Sequence, residues 1–280
     1  MSGSRSLLDR INELIESGGL ELPVFNAVAM QLQKVVADDN HDIAEVERLI
    51  VSDQALSAEI LSAANSPFYS GLSAIRTIRD AVTRLGTKQV RRMAVLAGEH
   101  GKYSARNAML NRLLQELWRH SSTTALAAQW LATRLRMRGS EDMCFLGGLL
   151  HDIGQLVVLR SLDEINTTEG LAFGISQALI REVLTSAHCQ LGYNLLRRWN
   201  VPEVYCHIVR DHHSEKLDPG DHCLAVVRLA DLASKKLGAG FDPEPTLVLA
   251  ATPEAHSLRA SEILLAELEI MLEDHLSLKV

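Results

Sequence analysis

Apolar residues recur along this 280-residue chain at spacings of three and four, the period of a helix that buries one face. Up to about residue 95 the pattern comes in short amphipathic stretches. Turn signals separate them at Gly18-Gly19, Leu22-Pro23, Asp38-Asp39-Asn40, Ser66-Pro67 and Gly71. Asp42 precedes Ile43, with Glu45 three residues on and Val46, Leu49 and Ile50 following, which predicts an N-cap and its first turn. The His41-Asp42 dipeptide is then a feature of a helix start, not of a site. Beyond residue 105 the stretches lengthen, and helices are predicted over 113–135, 144–159, 175–199, 202–211 and 224–237. Pro202 suits a first helical turn and Gly238 a helix stop. Residues 238–253 read as a connection, and 257–276 as an amphipathic helix that docks on the body or on a partner. No strand pattern and no internal repeat is evident. The predicted fold is all-α and two-lobed, with segments 1–104, 105–240 and 241–280 as amino-terminal lobe, second helical lobe, and linker plus last helix.

Composition supports the helical reading. Hydrophobic residues make up 47% of the chain but aromatics only 4%, so the cores are built of Leu, Ala, Val and Ile. No uninterrupted apolar run reaches the roughly 18 residues of a membrane-spanning helix, and residues 1–10 lack the apolar stretch of a signal peptide. A cytoplasmic protein is expected, without membrane insertion. Cys144, Cys189, Cys206 and Cys223 are scattered with no CxxC pair, which predicts buried reduced thiols instead of disulfides or a zinc–cysteine site. A net charge of −7 argues against a protein that coats nucleic acid, and Arg84, Lys88, Arg91 and Arg92 near Leu85-Gly86-Thr87 read as a solvated face.

One pattern resists a purely structural reading. Leu113, Leu117, His120, Thr124, Ala128 and Leu131 share one helical face, so His120 points inward with core residues. Cys144, Gly148, His151 and Gln155 share another, with Asp152 beside it. His188 interrupts the stripe Leu184, Leu191, Leu195, and Asp231 interrupts Leu224, Val227, Ser234. His212 and His213 close the set. A buried carboxylate such as Asp231 costs several kcal/mol unless a cation or several donors compensate it. Any one of these residues alone reads as a satisfied core histidine or a paired aspartate. Together, imidazole and carboxylate on facing helices are the ligand set that suits a divalent metal such as iron, manganese, zinc or nickel.

The ordered set His120 in WRHS, His151-Asp152 in GGLLHDIG, His188 in AHCQLGYNLL, His212-His213 and Asp231 in VRLAD resembles the HD superfamily of metal-dependent phosphohydrolases, especially its HD-GYP branch, over about 105–238. The preceding ELPVFNAVAMQLQKVV, LIVSDQALSAEILSAANSPFYSG and TIRDAVTRLGTKQVRRMAV are similar to the amino-terminal lobe of HDOD proteins. The recognisable features there are Asp53 with Ala55-Leu56, the Ala64-Asn65-Ser66 turn, and the stretch from Ala81 to Leu85-Gly86. The resemblance implies that His120, His151, Asp152, His188, His212, His213 and Asp231 are the metal ligands. It implies a bacterial signal-transduction output module that works by binding a signalling protein or a small ligand. It also offers metal-dependent hydrolysis of a nucleotide or cyclic dinucleotide, and oxygen activation by an iron pair as a third chemistry. Two departures bear on hydrolysis. HD-GYP enzymes follow HDIG with a lysine where this chain has Gln155, a candidate for contact with phosphate or substrate, and the GYP element expected after His212-His213 is absent.

Overall fold

The computed structural model describes residues 7–17, 35, 42–51, 54–66, 69, 75–100, 103–168, 177–199 and 201–277. Every regular element among them is helical. The turn signals at Gly18-Gly19, Leu22-Pro23, Asp38-Asp39-Asn40, Pro67 and Gly71, together with His41 and Asp53, lie outside the described residues. The helices are α1 (Leu7–Ser17), α2 (Ile43–Val51), α3 (Gln54–Ala64), α4 (Ile78–Leu85), α5 (Thr87–His100), α6 (Ala108–Arg134) and α7 (Glu141–Leu150). They continue with α8 (Ile153–Thr168), α9 (Gln177–Arg198), α10 (Glu203–Asp211), α11 (His222–Lys236), α12 (Pro253–Ser257) and α13 (Glu262–Ser277). A single 3-10 turn, Leu249–Ala251, precedes α12.

The chain divides into two compact units, Leu22–Lys102 on one side and Met1–Glu21 with Tyr103–Val280 on the other. In the first, α2 to α5 close around Val46, Ile50, Ile60, Ala81, Val82 and Val90. Asp42 caps α2 as its position predicts, Oδ1 accepting from Ala44 N at 2.8 Å. Thr77 caps α4 in the same way by accepting from Asp80 N. The Ala64-Asn65-Ser66 turn has a definite task. Asn65 Nδ2 donates to Leu61 O and Ile75 O at 2.9 Å, while Oδ1 accepts from Ile75 N at 2.8 Å, so one amide ties the end of α3 to the approach to α4. Gly86, at φ 80°, lets the chain reverse between α4 and α5, a conformation that a side chain would strain. The basic residues here are partly engaged, Arg84 on Ala64 O and Arg92 on Gln89.

The second unit takes in α1, where the sequence grouped residues 1–104 together. The reason lies at the end of that helix: Arg198 of α9 donates to Ile15 O and Glu16 O at 2.7 Å each, satisfying carbonyls that the last turn leaves without partners. The segment 241–280 belongs to this unit as well. Leu265, Leu268 and Leu272 of α13 pack with Ala128, Leu131, Val226 and Leu229 in one core. Arg228 meets the buried Glu254 at 2.7 Å, and Lys236 meets Glu269 at 2.6 Å. The predicted final helix begins five residues late, at Glu262, because the chain turns at 258–261 with Arg259 at φ 51°, and the short α12 stands before that turn. Other boundaries shift for local reasons. α6 starts five residues earlier than predicted since Asn107 caps it and Asp163 of α8 receives Arg106 N and Asn107 N. Pro202 stands just before α10 and not inside it, and Gly238 ends α11 at φ 77° as expected.

Of the cysteines, Cys144, Cys206 and Cys223 are buried and Cys189 is half-buried, all as free thiols. Cys144 and Cys223 bring their Sγ atoms to 3.4 Å across α7 and α11. The stretch Glu141–Thr168 is long and apolar enough to cross a membrane by length and composition, but 78% of its most apolar window is buried inside the protein. Those apolar side chains are core.

Candidate metal centre

Close helix packing precedes the chemistry. On α7, a Cβ at Gly148 would stand 2.9 Å from Ala125 Cα and Thr124 O, so only glycine lets α7 approach α6 closely enough to bring His151 to His120. On α8, a Cβ at Gly154 would stand 1.8 Å from His188 O. The backbones of α8 and α9 therefore meet where Asp152 and His188 must face each other. The sequence pattern predicts one helix over 144–159; instead the chain turns at His151-Asp152, between α7 and α8.

The four most buried histidines are held identically. Nδ1 of His120, His151, His188 and His212 lies against the carbonyl oxygens of Ala239, Gly148, Leu184 and Val209, at 3.2, 2.7, 2.6 and 2.9 Å. A carbonyl only accepts, so each Nδ1 carries the proton and each Nε2 turns its lone pair inward. This is the arrangement in which backbone groups orient metal-binding imidazoles.

The inward atoms converge in two adjoining groups, within each of which all donor atoms lie inside 4.8 Å: His120, His151 and Asp231, and Asp152, His188, His212 and His213. All seven residues singled out in the sequence are thus brought together, with His213 on the exposed side. Asp152 spans both groups. Its Oδ2 lies 3.3 Å from His151 Nε2 and 3.5 Å from His120 Nε2, and its Oδ1 lies 3.4 Å from Nε2 of both His188 and His212. Asp231 Oδ1 is 3.0 Å from His120 Nε2.

Burial opposes charge on both carboxylates. When protonated, the imidazoles of His151 and His212 outweigh it at Asp152, and Lys235 with protonated His120 outweighs it at Asp231, so both are held well below the usual carboxylate range. At His151 burial pushes the pKa down, but Asp152 more than offsets this and the net direction is up; at His188 burial prevails and the pKa falls.

Whether this donor set fits a metal is decided by two oxygens. Asp152 Oδ1 and Asp231 Oδ1 are buried and have no hydrogen-bond partner. Each instead faces Nε2 lone pairs at 3.0 to 3.4 Å. With neutral imidazoles this is acceptor against acceptor in a buried site, a cost in free energy that a cation between them, proton or metal ion, removes. The set of imidazole nitrogens and carboxylate oxygens is the chemistry of a divalent transition-metal centre.

Gln155, the sequence candidate for contact with phosphate or substrate, has a buried side-chain Oε1 without a hydrogen-bond partner, while its backbone N donates to Asp152 O at 2.9 Å. Two neighbours escaped the sequence reading. Cys189 brings Sγ to 3.3 Å of His188 Nε2. Lys235 places Nζ 2.7 Å from Asp231 Oδ2. The signal for Lys235 was available, since it lies four residues after Asp231 on the same helical face. One turn before His120 and His188, α6 and α9 leave a cleft of about 240 Å³ lined by Leu113, Ile180, Leu184 and Phe241, with the exposed Arg112 and Arg181.

Comparison with known proteins places the fold. The family described as HDOD domain matches residues 22–215. A solved HDOD domain protein of Geobacter sulfurreducens superposes with TM-score 0.69 at 23% identity, covering 97% of this chain and 96% of that one. A candidate metal-dependent phosphohydrolase of Shewanella amazonensis superposes with TM-score 0.64 at 26% identity, covering 91% and 96%. An uncharacterised protein of Treponema pallidum is 23% identical over 223 residues, which is 75% of this chain but 39% of that relative's length.

Proposed function

Because the chain belongs to the HDOD family, we propose that it is a regulatory module of bacterial signal transduction, holding a divalent metal in its second unit and acting by binding a signalling protein or a small ligand. The observation that carries the reading is the pairing of a convergent donor set with the lack, among the described residues at the centre, of a cation left free for a substrate. All seven candidate ligands converge, yet position 155 is a neutral glutamine, and the buried ammonium at the centre, that of Lys235, is engaged on Asp231. A phosphoester substrate needs positive groups aimed at the charge that develops on its oxygens.

His120, His151, Asp152, His188, His212, His213 and Asp231 are the residues that hold the metal in this reading. A bound divalent ion would supply Lewis acidity toward an oxygen ligand and lower the pKa of a coordinated water. The backbone carbonyls behind the four imidazoles keep the donors aligned. The cleft between α6 and α9 gives a small ligand a place in the same unit, its rim carrying Arg112, Glu116 and an Arg181 that is paired with Asp242 at 3.1 Å.

A second reading, metal-dependent hydrolysis of a nucleotide or cyclic dinucleotide, is favoured by the intact donor set and by the likeness to the Shewanella protein. One experiment separates the two. Elemental analysis of protein purified without chelator should give metal in the wild type and none in His151→Ala and Asp152→Ala. The loaded wild type should then leave a panel of cyclic dinucleotides, nucleotides and aryl phosphates unhydrolysed relative to the stripped protein. Turnover that disappears in Asp152→Ala would establish the hydrolase instead.

A further inference from the structure

The two carboxylates of the centre are treated differently by their surroundings. Both oxygens of Asp152 face imidazole nitrogens, Oδ2 toward His120 and His151, Oδ1 toward His188 and His212. Asp231 is equally buried, but only Oδ1 faces the histidines; Oδ2 accepts from Lys235 Nζ at 2.7 Å. We infer that Lys235 is a positioning residue of the metal centre, occupying Asp231 Oδ2 so that Oδ1 alone is offered to the group formed with His120 and His151. The inference rests on the metal reading given above and adds to it how one ligand is set.

Several features make the ammonium a fixed clamp. Lys235 lies four residues after Asp231 on α11, the spacing and order at which an acidic and a basic side chain meet on a helix. Its side chain is only 20% exposed, so the pair is shielded from bulk water far more than a surface ion pair. The backbone at its root is held as well, since Lys235 O accepts from Gly238 N at 3.1 Å and from Glu244 N at 3.0 Å. The next lysine shows the contrast: Lys236 turns away to Glu269. Ser234, on the other side, is tied to Ala230 O and receives Thr124 Oγ1. With α11 pinned around it and Oδ2 taken, Asp231 has one oxygen left, and that oxygen makes no hydrogen bond and lies 3.0 Å from His120 Nε2.

A ligand whose second oxygen is held by a charge-assisted hydrogen bond binds through one atom and in one direction. Without Lys235 both oxygens are free, and the carboxylate can chelate through two atoms or swing away from His120. The first group would then differ in coordination number as well as in affinity.

The test uses Co²⁺ as the probe, titrated into metal-stripped full-length protein by calorimetry and followed by its visible d–d spectrum. Lys235→Met should lower affinity for Co²⁺ by about 10- to 100-fold, the usual effect of removing an outer hydrogen-bond partner. It should also change band position and intensity, while Lys235→Arg, which keeps a cationic donor, restores both toward wild type. A purely structural lysine would lower the melting temperature of the stripped protein and leave the spectrum alone. If Lys235→Met does not fold, Lys235→Ala, whose gap opens to solvent, is read in the same way. Wild-type affinity and spectrum in the variant that folds overturn the role of Lys235 and leave the metal centre standing. A wild type that binds no Co²⁺ overturns the metal reading, and the role of Lys235 with it.

Discussion

At the scale of single residues, the centre depends as much on what is missing as on its donors. His188 can meet Asp152 only because residue 154 has no side chain, and His151 can meet His120 only because residue 148 has none. Gly154→Ala puts a methyl carbon where His188 O lies 1.8 Å away, which rigid backbone cannot yield cheaply. Overpacking of this kind costs about 1–3 kcal/mol, and more where only backbone can move. We expect Gly154→Ala to lose about 3 kcal/mol in urea unfolding and to purify with its metal content reduced, although no donor is altered. Wild-type stability and metal content in that variant would show that α8 and α9 can separate without disturbing the site.

At the scale of elements, side chains from one helix finish the ends of another. Asp163 of α8 holds the approach to α6 at Arg106 N and Asn107 N, Arg198 of α9 caps α1, and the turn after α11 returns to His120 through Ala239 O and to Arg119 through Gly238 O. The carboxyl-terminal segment is bound by the same kind of contact. Glu254 is 2% exposed and its charge is matched by Arg228, which also donates to Ser214 O at 2.7 Å. Removing one member of a buried pair strands the other and costs about 3–5 kcal/mol, whereas replacing both by apolar groups is often close to neutral. Arg228→Met should therefore be strongly destabilised in urea unfolding, and the double variant Arg228→Met/Glu254→Met should recover most of the loss. Equal destabilisation of single and double variants would mean that the bond to Ser214, not the ion pair, holds the segment.

At the scale of the whole molecule, the seven candidate ligands come from α6, the turn between α7 and α8, α9, the end of α10 with the residues after it, and α11, all within one unit. A metal joining them closes several loops at once and binds only the folded state. At a free concentration 100 times its dissociation constant it adds about 2.7 kcal/mol. Chelation should accordingly lower the melting temperature and speed amide exchange in α6 to α11, and readdition of metal should reverse both; identical melting with and without chelator would count against a resident metal. Much of this was legible beforehand. Period alone located the helices, because a buried face recurs every three to four residues whatever it packs against. The seven residues stood out because polar groups on apolar faces need a partner, and their order matched a known family. Three things depended on tertiary structure. The break of the 144–159 helix at His151-Asp152 is dictated by where α6 and α9 press on α7 and α8, which periodicity does not record. The membership of α1 in the second unit comes from the burial of Ile11 and from Arg198, 182 and 183 residues distant from the carbonyls it caps. The division of labour between the two carboxylates follows from Lys235, since which oxygen of Asp231 is free is a matter of distances in space, and spacing in sequence says only that the two residues can meet.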